Sequence, residues 1–297
     1  MSKRQIALIK LLITSMLWGN TYVLVSMGLQ DMGPLTLAGI RYTLAGLILL
    51  PVIQSSHLKL RDYKDRFWQL AALGICALTL GNGFASMALQ HLPSTSVSLM
   101  SNLSVLLIMG AGAVFLNESP GLLQILGVLI VFVGMGLFFN PGEFGKFNIG
   151  YIFVLISLVS YSAYNLLGRF VARSRTVPFL VQTAVPFIIG GSALLLLGFI
   201  FEGIPILTTR SLLIILFMVI FNSITGFTLY NQALADLTAI EVNIILKLQP
   251  FFTAFYAWLL LGEKITVMQI GAMMVVFTGI YLVQRAPMKL QDKILEP

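Results

Sequence analysis

Ten apolar runs follow one another along this 297-residue chain, over 6–27, 34–54, 67–89, 94–116, 121–139, 149–171, 178–200, 211–231, 239–261 and 265–284. A membrane-spanning helix needs about 20 mostly apolar residues, and each run is of that order. Short polar or turn-forming pieces such as "DMGP", "HLP", "NESP" and "GEK" separate them. Backbone in hydrocarbon must satisfy its own hydrogen bonds, so the runs are predicted to be helices rather than isolated strands. The first run follows Lys3 and Arg4, as the core of a signal peptide would. It is too long for one and has no clear small-residue cleavage site. The expected fold class is all-α integral membrane, with ten transmembrane helices.

Composition agrees. The chain is 58% hydrophobic and 10% charged, with a mean hydropathy of +0.95; soluble domains carry about 25% charged residues. The single cysteine, Cys76, excludes an intramolecular disulfide and a cysteine metal cluster. The net charge of +7 is explained by where the basic residues fall. With the N-terminus in the cytoplasm, the inside segments hold Lys3, Arg4, Lys10, Lys59, Arg61, Lys64, Arg66, Arg169, Arg173, Arg175, Arg285, Lys289 and Lys293. The outside segments hold only Lys146, Arg210 and Lys264. Thirteen against three fits the positive-inside rule, places both termini in the cytoplasm, and needs no nucleic acid. Arg41 and Lys247 fall inside predicted helices.

Shifted by 145 positions, residues 88–137 lie on 233–282 without a gap. Identities include Ala88/Ala233, Leu92/Leu237, Glu118/Glu263, Gln124/Gln269, Phe132/Phe277 and Gly134/Gly279. The paired L-N-E and L-G-E turns, each followed six residues later by Q-I, are hard to obtain by chance. The units are 1–140 and 141–297, with five helices each. Five is odd, so the second copy must cross the membrane in the opposite sense. That is an inverted-topology repeat, a common build for secondary transporters. Two similar antiparallel halves give inward-open and outward-open states of comparable energy, with a solute held between them.

The chain resembles the drug/metabolite transporter superfamily in its EamA-like branch. The likeness is carried by "LWGNTYV" (17–23), "GPLTLAGIRYTLAGLILLP" (33–51), "ALQHLPSTSVSL" (88–99), "FLNES" (115–119) and "LQPFFTAFYAWLLLGEKIT" (248–266). It covers nearly the whole chain. Each motif alone is degenerate; their order and spacing are specific. The resemblance implies alternating access and a central cavity lined by helices 1, 3, 4, 6, 8 and 9, with helices 5 and 10 more peripheral. One departure is plain. The second half has Pro250 in helix 9 where the first has Val105, so a hinge made by proline would be one-sided.

The repeat lets helices 4 and 9 be read together. Ser98, Asn102 and Val105 share one helix face, and Asn243, Lys247 and Pro250 hold the equivalent positions. Polar groups within a bilayer face a bundle interior or a wet cavity; for Ser98 and Asn102, helix-to-helix hydrogen bonding serves equally well. Lys247 lies roughly 13 Å along its helix. Glu241, six residues earlier, lies about 120° round the wheel, so Lys247 needs a carbonyl, another helix or a ligand anion. Pro250 removes the amide proton that the Leu246 carbonyl would accept. A bare carbonyl beside a cation suits a zwitterion. Glu241 is read as a gate, or as an anion favoured at a helix N-terminus.

Further substrate-binding candidates are Trp18 and Thr21 in helix 1, Asn82 and Ser86 in helix 3, Tyr161 and Tyr164 in helix 6, and Asn222 and Tyr230 in helix 8. Aromatic residues in membrane helices also serve as packing or interface anchors. Arg41, in "IRYTLAG", is read first as structural, pairing with carbonyls or head groups. His57 and His91 suggest no metal site, and no Walker, HExxH, CxxC or Ser-His-Asp pattern appears. No cofactor is expected. The partners are a small-molecule substrate and the lipid bilayer, and a homodimer is allowed.

The expected activity is secondary transport of small metabolites, not an enzymatic reaction. Resemblance implies export, with amino acids the commonest substrates. Import of a vitamin or nucleobase is the alternative, because the sequence sets no direction. A lipid-modifying enzyme would need paired acids or a histidine cluster at the membrane surface. A small multidrug exporter of cations would need a deep carboxylate, and here the deep charge is Lys247.

Overall fold

The computed structural model describes residues 3–56, 60–104, 106–107, 109–110, 118–119, 121–138, 148–173, 177–234, 237, 245–285 and 289–290. Its helices in chain order are α1 (Lys3–Gly28), α2 (Pro34–Ser55), α3 (Phe67–Gly74 and the two pieces that continue it), α4 (Ser94–Ser101) and α5 (Leu122–Phe138). There follow α6 (Ile149–Arg173), α7 (Phe179–Phe201), α8 (Thr209–Phe217 and its two continuations), α9 (Gln249–Leu261) and α10 (Val267–Arg285). They account for the ten predicted spans. The face of the bundle that holds Lys3 is called the near face below, and the opposite one the far face. A two-residue antiparallel pairing joins Glu118–Ser119 to Lys289–Leu290, both on the near face.

The helices are inside-out by the standards of a water-soluble bundle. On α1 the buried positions are Ala7, Leu11, Thr14, Ser15, Gly19, Val23, Leu24, Val25 and Gly28, five of the nine small or polar. Ile6, Ile9, Leu12, Ile13 and Met16 point outward and are exposed. Trp68, Ile204, Ile206 and Val267 are among the most exposed side chains of all. Apolar surface on this scale is stable only against lipid, where helices associate through small residues and internal polar contacts.

The two halves run in opposite senses. Gly39 meets Leu195, Thr43 meets Gly191, Gly46 meets Ile188, and Thr36 meets Gly198. Numbers rise on α2 as they fall on α7, so these repeat mates are antiparallel. The same holds for α5 and α10, where Gly127 meets Gly279 and Gly134 meets Val276. A Cβ added at Gly279 would lie 2.6 Å from the Gly127 carbonyl oxygen. Only glycine lets these two backbones approach so closely. Both observations require the inverted five-plus-five arrangement.

Two expectations of continuous α-helix are corrected. Within α3, residues Ile75–Asn82 are π-helical, and Gly83–Ala88 resumes the α-helix. Within α8, Met218–Thr225 are π-helical, followed by Gly226–Leu234. The two π segments are 143 residues apart, within two residues of the 145-residue repeat interval, so each half carries one in its third helix. Widened turns free backbone carbonyls and occur frequently at functional sites. Side chains take up some of them here. The Asn82 amide donates to the Ala77 carbonyl and the Trp18 indole to that of Asn222, both at 3.0 Å; from the first of these segments Thr79 Oγ1 also donates to the Gly190 carbonyl of α7 at 3.1 Å.

The predicted spans 94–116 and 239–261 are also broken. After Ser101 the chain turns at Asn102–Leu103, and before Gln249 it turns at Lys247–Leu248. The amide of Leu103 donates to Met100 and that of Leu106 to Leu103, at 2.8 and 2.9 Å. At the positions 145 residues later, the amide of Leu248 donates to Ile245 and that of Phe251 to Leu248, both at 3.0 Å. Proline does not cause this break, because the first half makes it without one. Pro250 sits in the first turn of α9, where its missing amide proton costs nothing. The expectation of a one-sided proline hinge is therefore corrected to a two-sided break.

Candidate functional site

Three groups of polar residues meet around the middle of α1. The first joins α1 to the π segment of α8. Asn222, fully buried at 0% exposure, donates through Nδ2 to the Leu17 carbonyl and to Thr21 Oγ1, each at 2.7 Å. Trp18 Nε1 donates back to the Asn222 carbonyl. Tyr230 lies with its ring 5.3 Å from that of Trp18. Trp18, Thr21, Asn222 and Tyr230, predicted separately, thus form one cluster.

The second group lies on α2, α3, α6 and α8. The Tyr42 hydroxyl donates to Asn82 Oδ1 at 2.7 Å. Arg41, 4% exposed, donates through Nε to Ser223 Oγ at 3.1 Å, and its guanidinium carbon lies 4.6 Å from the Tyr42 ring centroid. Tyr161 packs its ring against Gly81 of the α3 π segment and lies within electrostatic reach of Arg41, Tyr42, Tyr22 and Tyr164. Tyr164 borders two apolar clusters, and Ser86 is buried where the end of α3 packs on α6.

A line of rings connects these two groups. Tyr230, Trp18, Phe227, Phe187 and Tyr42 follow one another with centroid separations of 5.3, 5.0, 5.2 and 5.4 Å. The aromatic residues are therefore a continuous wall, not isolated anchors.

The third group lies at the paired breaks. Ser98 Oγ and Thr253 Oγ1 are 2.9 Å apart, and Thr253 also donates to the Gly19 carbonyl at 2.9 Å. Ser98 is thus used in holding α1, α4 and α9 together. Asn102 Nδ2 donates to the carbonyl of Lys247 at 3.4 Å. These residues are 145 apart, so each meets its own repeat mate, and the contact lies on the pseudo-two-fold axis. The Lys247 ammonium has no hydrogen-bond or carboxylate partner among the described residues. Glu241, Asn243 and Val105 lie outside the described residues.

Sequence reasoning missed Tyr22, Tyr42, Thr253 and Ser223. Helix 2 was not expected to line the cavity, yet it brings Arg41 and Tyr42 to this polar centre. A separate groove of about 490 Å³ opens where the 60–66 turn, α3 and α7 meet, lined by residues such as Tyr63, Lys64, Trp68 and Val185. It is largely apolar, contains none of the residues above, and faces outward beside the exposed Trp68.

Residues 5–140 and 148–285 each match the EamA-like transporter family. The chain belongs to that family. A protein of Archaeoglobus fulgidus named an uncharacterized transporter is 22% identical over 278 residues, 92% of this chain and 95% of its own length. The Bacillus subtilis protein named "Uncharacterized transporter YoaV" is 23% identical over 280 residues, covering 90% and 93%. A Salmonella typhimurium protein named "Probable amino-acid metabolite efflux pump" is 23% identical over 288 residues, covering 91% and 92%. One crystal structure superposes with a TM-score of 0.67 at 19% identity over 93% of this chain and 96% of that one, which shows a shared fold. This EamA-like chain is a multi-pass membrane transporter of small molecules, and the names of its relatives point to transport rather than enzymology.

Proposed function

We propose that this EamA-like protein exports small carboxylate-bearing metabolites, amino acids among them, across a cytoplasmic membrane by alternating access. The observation that carries the reading is the meeting of Asn102 and Lys247 where two equivalent helices break, with a cation at the crossing that has no partner among the described residues. Broken membrane helices facing each other across a repeat axis make a midplane binding site. A half-buried cation within the membrane, with no counter-ion among the described residues, favours an anionic group on the solute. The name of the Salmonella relative supports amino-acid efflux.

The basic residues at the near face support a cytoplasmic location for that face and both termini. The units 1–140 and 141–297 are the two bodies that move. In the described state the far face is held by Ser26 and Ser94, whose hydroxyl oxygens are 2.8 Å apart. Glu263 ties the same point down by accepting from the amides of Ser94 and Thr95 and from Thr95 Oγ1. Release to the outside requires these contacts to part.

The test is counterflow and efflux of labelled amino acids and organic cations in proteoliposomes. Amino acids are expected to move and cations not. Lys247→Met is expected to lower amino-acid flux at least tenfold in protein that still elutes as a folded species. Flux of cations alone, or no flux of any amino acid, overturns the reading.

A further inference from the structure

Six polar side chains inside this bundle reach a backbone carbonyl with a donor. Thr14, Thr79, Asn82, Trp18, Asn222 and Thr253 all do so. Arg41 does not follow that pattern. It is 4% exposed, and of its five N–H donors only the one on Nε meets an acceptor among the described residues, Ser223 Oγ at 3.1 Å. The two terminal nitrogens carry the other four donors, and no described carbonyl or carboxylate accepts from them. One flat side of the guanidinium is covered by Tyr42 at 4.6 Å.

A structural arginine in a membrane bundle is stabilised by wrapping its fork in carbonyls or by pairing it with an acid. Here the side chain is fixed at its neck and against one face, while the fork is left bare. The fork is the part that matches a carboxylate, through two parallel hydrogen bonds. Tyr42, whose hydroxyl is itself tied to Asn82, supplies aromatic surface beside it.

We propose that Arg41 is an anion subsite, its two terminal nitrogens gripping the carboxylate of the solute while Ser223 and Tyr42 hold the guanidinium in place. This rests on the transport reading and deepens it: Lys247 adds positive charge at the repeat axis, and Arg41 is the group that grips the carboxylate. It is tested by binding, so it can fail separately from transport.

The experiment uses the full chain purified in detergent, with Trp68→Phe and Trp258→Phe leaving Trp18 as the reporter. Trp18 donates to the carbonyl of Asn222, the residue next to Ser223, so its emission senses this site. Trp68 and Trp258 are 80% and 59% exposed on the outer surface. The probes are L-phenylalanine, L-leucine and L-threonine, each beside its amide, which keeps shape and ammonium but lacks the carboxylate. At least one acid is expected to shift Trp18 emission at a concentration tenfold or more below its amide. Arg41→Lys keeps the charge but loses the fork and is expected to weaken acid binding about tenfold. Arg41→Gln is expected to remove the distinction between acid and amide. Ser223→Ala is expected to weaken acid binding a few-fold and leave the amides unchanged.

Equal response to acid and amide, no response to any of the three acids, or an undiminished preference in Arg41→Gln overturns the proposal. If Arg41→Gln fails to fold, Arg41→Lys and Ser223→Ala decide, and acid binding unchanged in both overturns the proposal. Acid binding without flux in proteoliposomes keeps Arg41 and removes the transport reading. Flux without acid preference does the reverse.

Discussion

At the scale of single residues, Asn222 carries the clearest structural duty. Its side chain holds α8 against α1 through two 2.7 Å hydrogen bonds, from a position with no solvent contact. Asn222→Ala is expected to lower stability by about 1–2 kcal/mol, read as a fall in the midpoint of thermal unfolding in detergent. Thr21→Val, which removes one acceptor of the two, is expected to cost about half as much. The polar stripe on helices 4 and 9 was legible before the structure, because Ser98, Asn102 and Lys247 recur at helical spacing and at the repeat interval. Their partners were not legible, since spacing along one helix says nothing about which helix it faces. Tyr42 was missed because it adjoins Arg41 in sequence and belongs to no stripe. Arg41 was read as structural from its place in a family-like motif, and only its bare fork suggests more.

At the scale of helices, the glycine crossings decide what each surface tolerates. Gly127→Leu is expected to separate α5 from α10 and cost about 1–3 kcal/mol, the usual penalty for overpacking. Gly136 lies on the same helix with nothing within 4 Å of an added Cβ, so Gly136→Ala is expected to be neutral or slightly stabilising. Thermal elution profiles of the two variants, run side by side, check the contrast; equal loss in both would refute it. The duplicated glutamines also acquire a purpose at this scale. Gln124 accepts from the Gly121 amide and Gln269 from the Thr266 amide, both at 2.9 Å, so each caps the start of its helix. Helix positions could be read from hydropathy. The π segments and paired breaks could not, because a lipid-facing run has the same composition whether its turns hold three, four or five residues.

At the scale of the whole molecule, the odd number of helices per repeat foretold the antiparallel mates. Packing of α2 on α7 and of α5 on α10 bears this out. Alternating access makes a testable demand on the far face. With Cys76→Ser removing the only native cysteine, Ser26→Cys and Ser94→Cys together are expected to cross-link on oxidation. Flux should then stop, and reductant should restore it. Flux that continues through the cross-link would show that this end does not open during transport. The fold repeats itself, but the residues at its axis do not match: one half brings a neutral amide, the other a full positive charge. Exchange of roles between the halves therefore cannot return the molecule to an equivalent state. The empty carrier has a preferred resting side, and since about 1.4 kcal/mol is a factor of ten in population, even a small mismatch sets which face waits for solute, while the gradients alone set the direction of net movement.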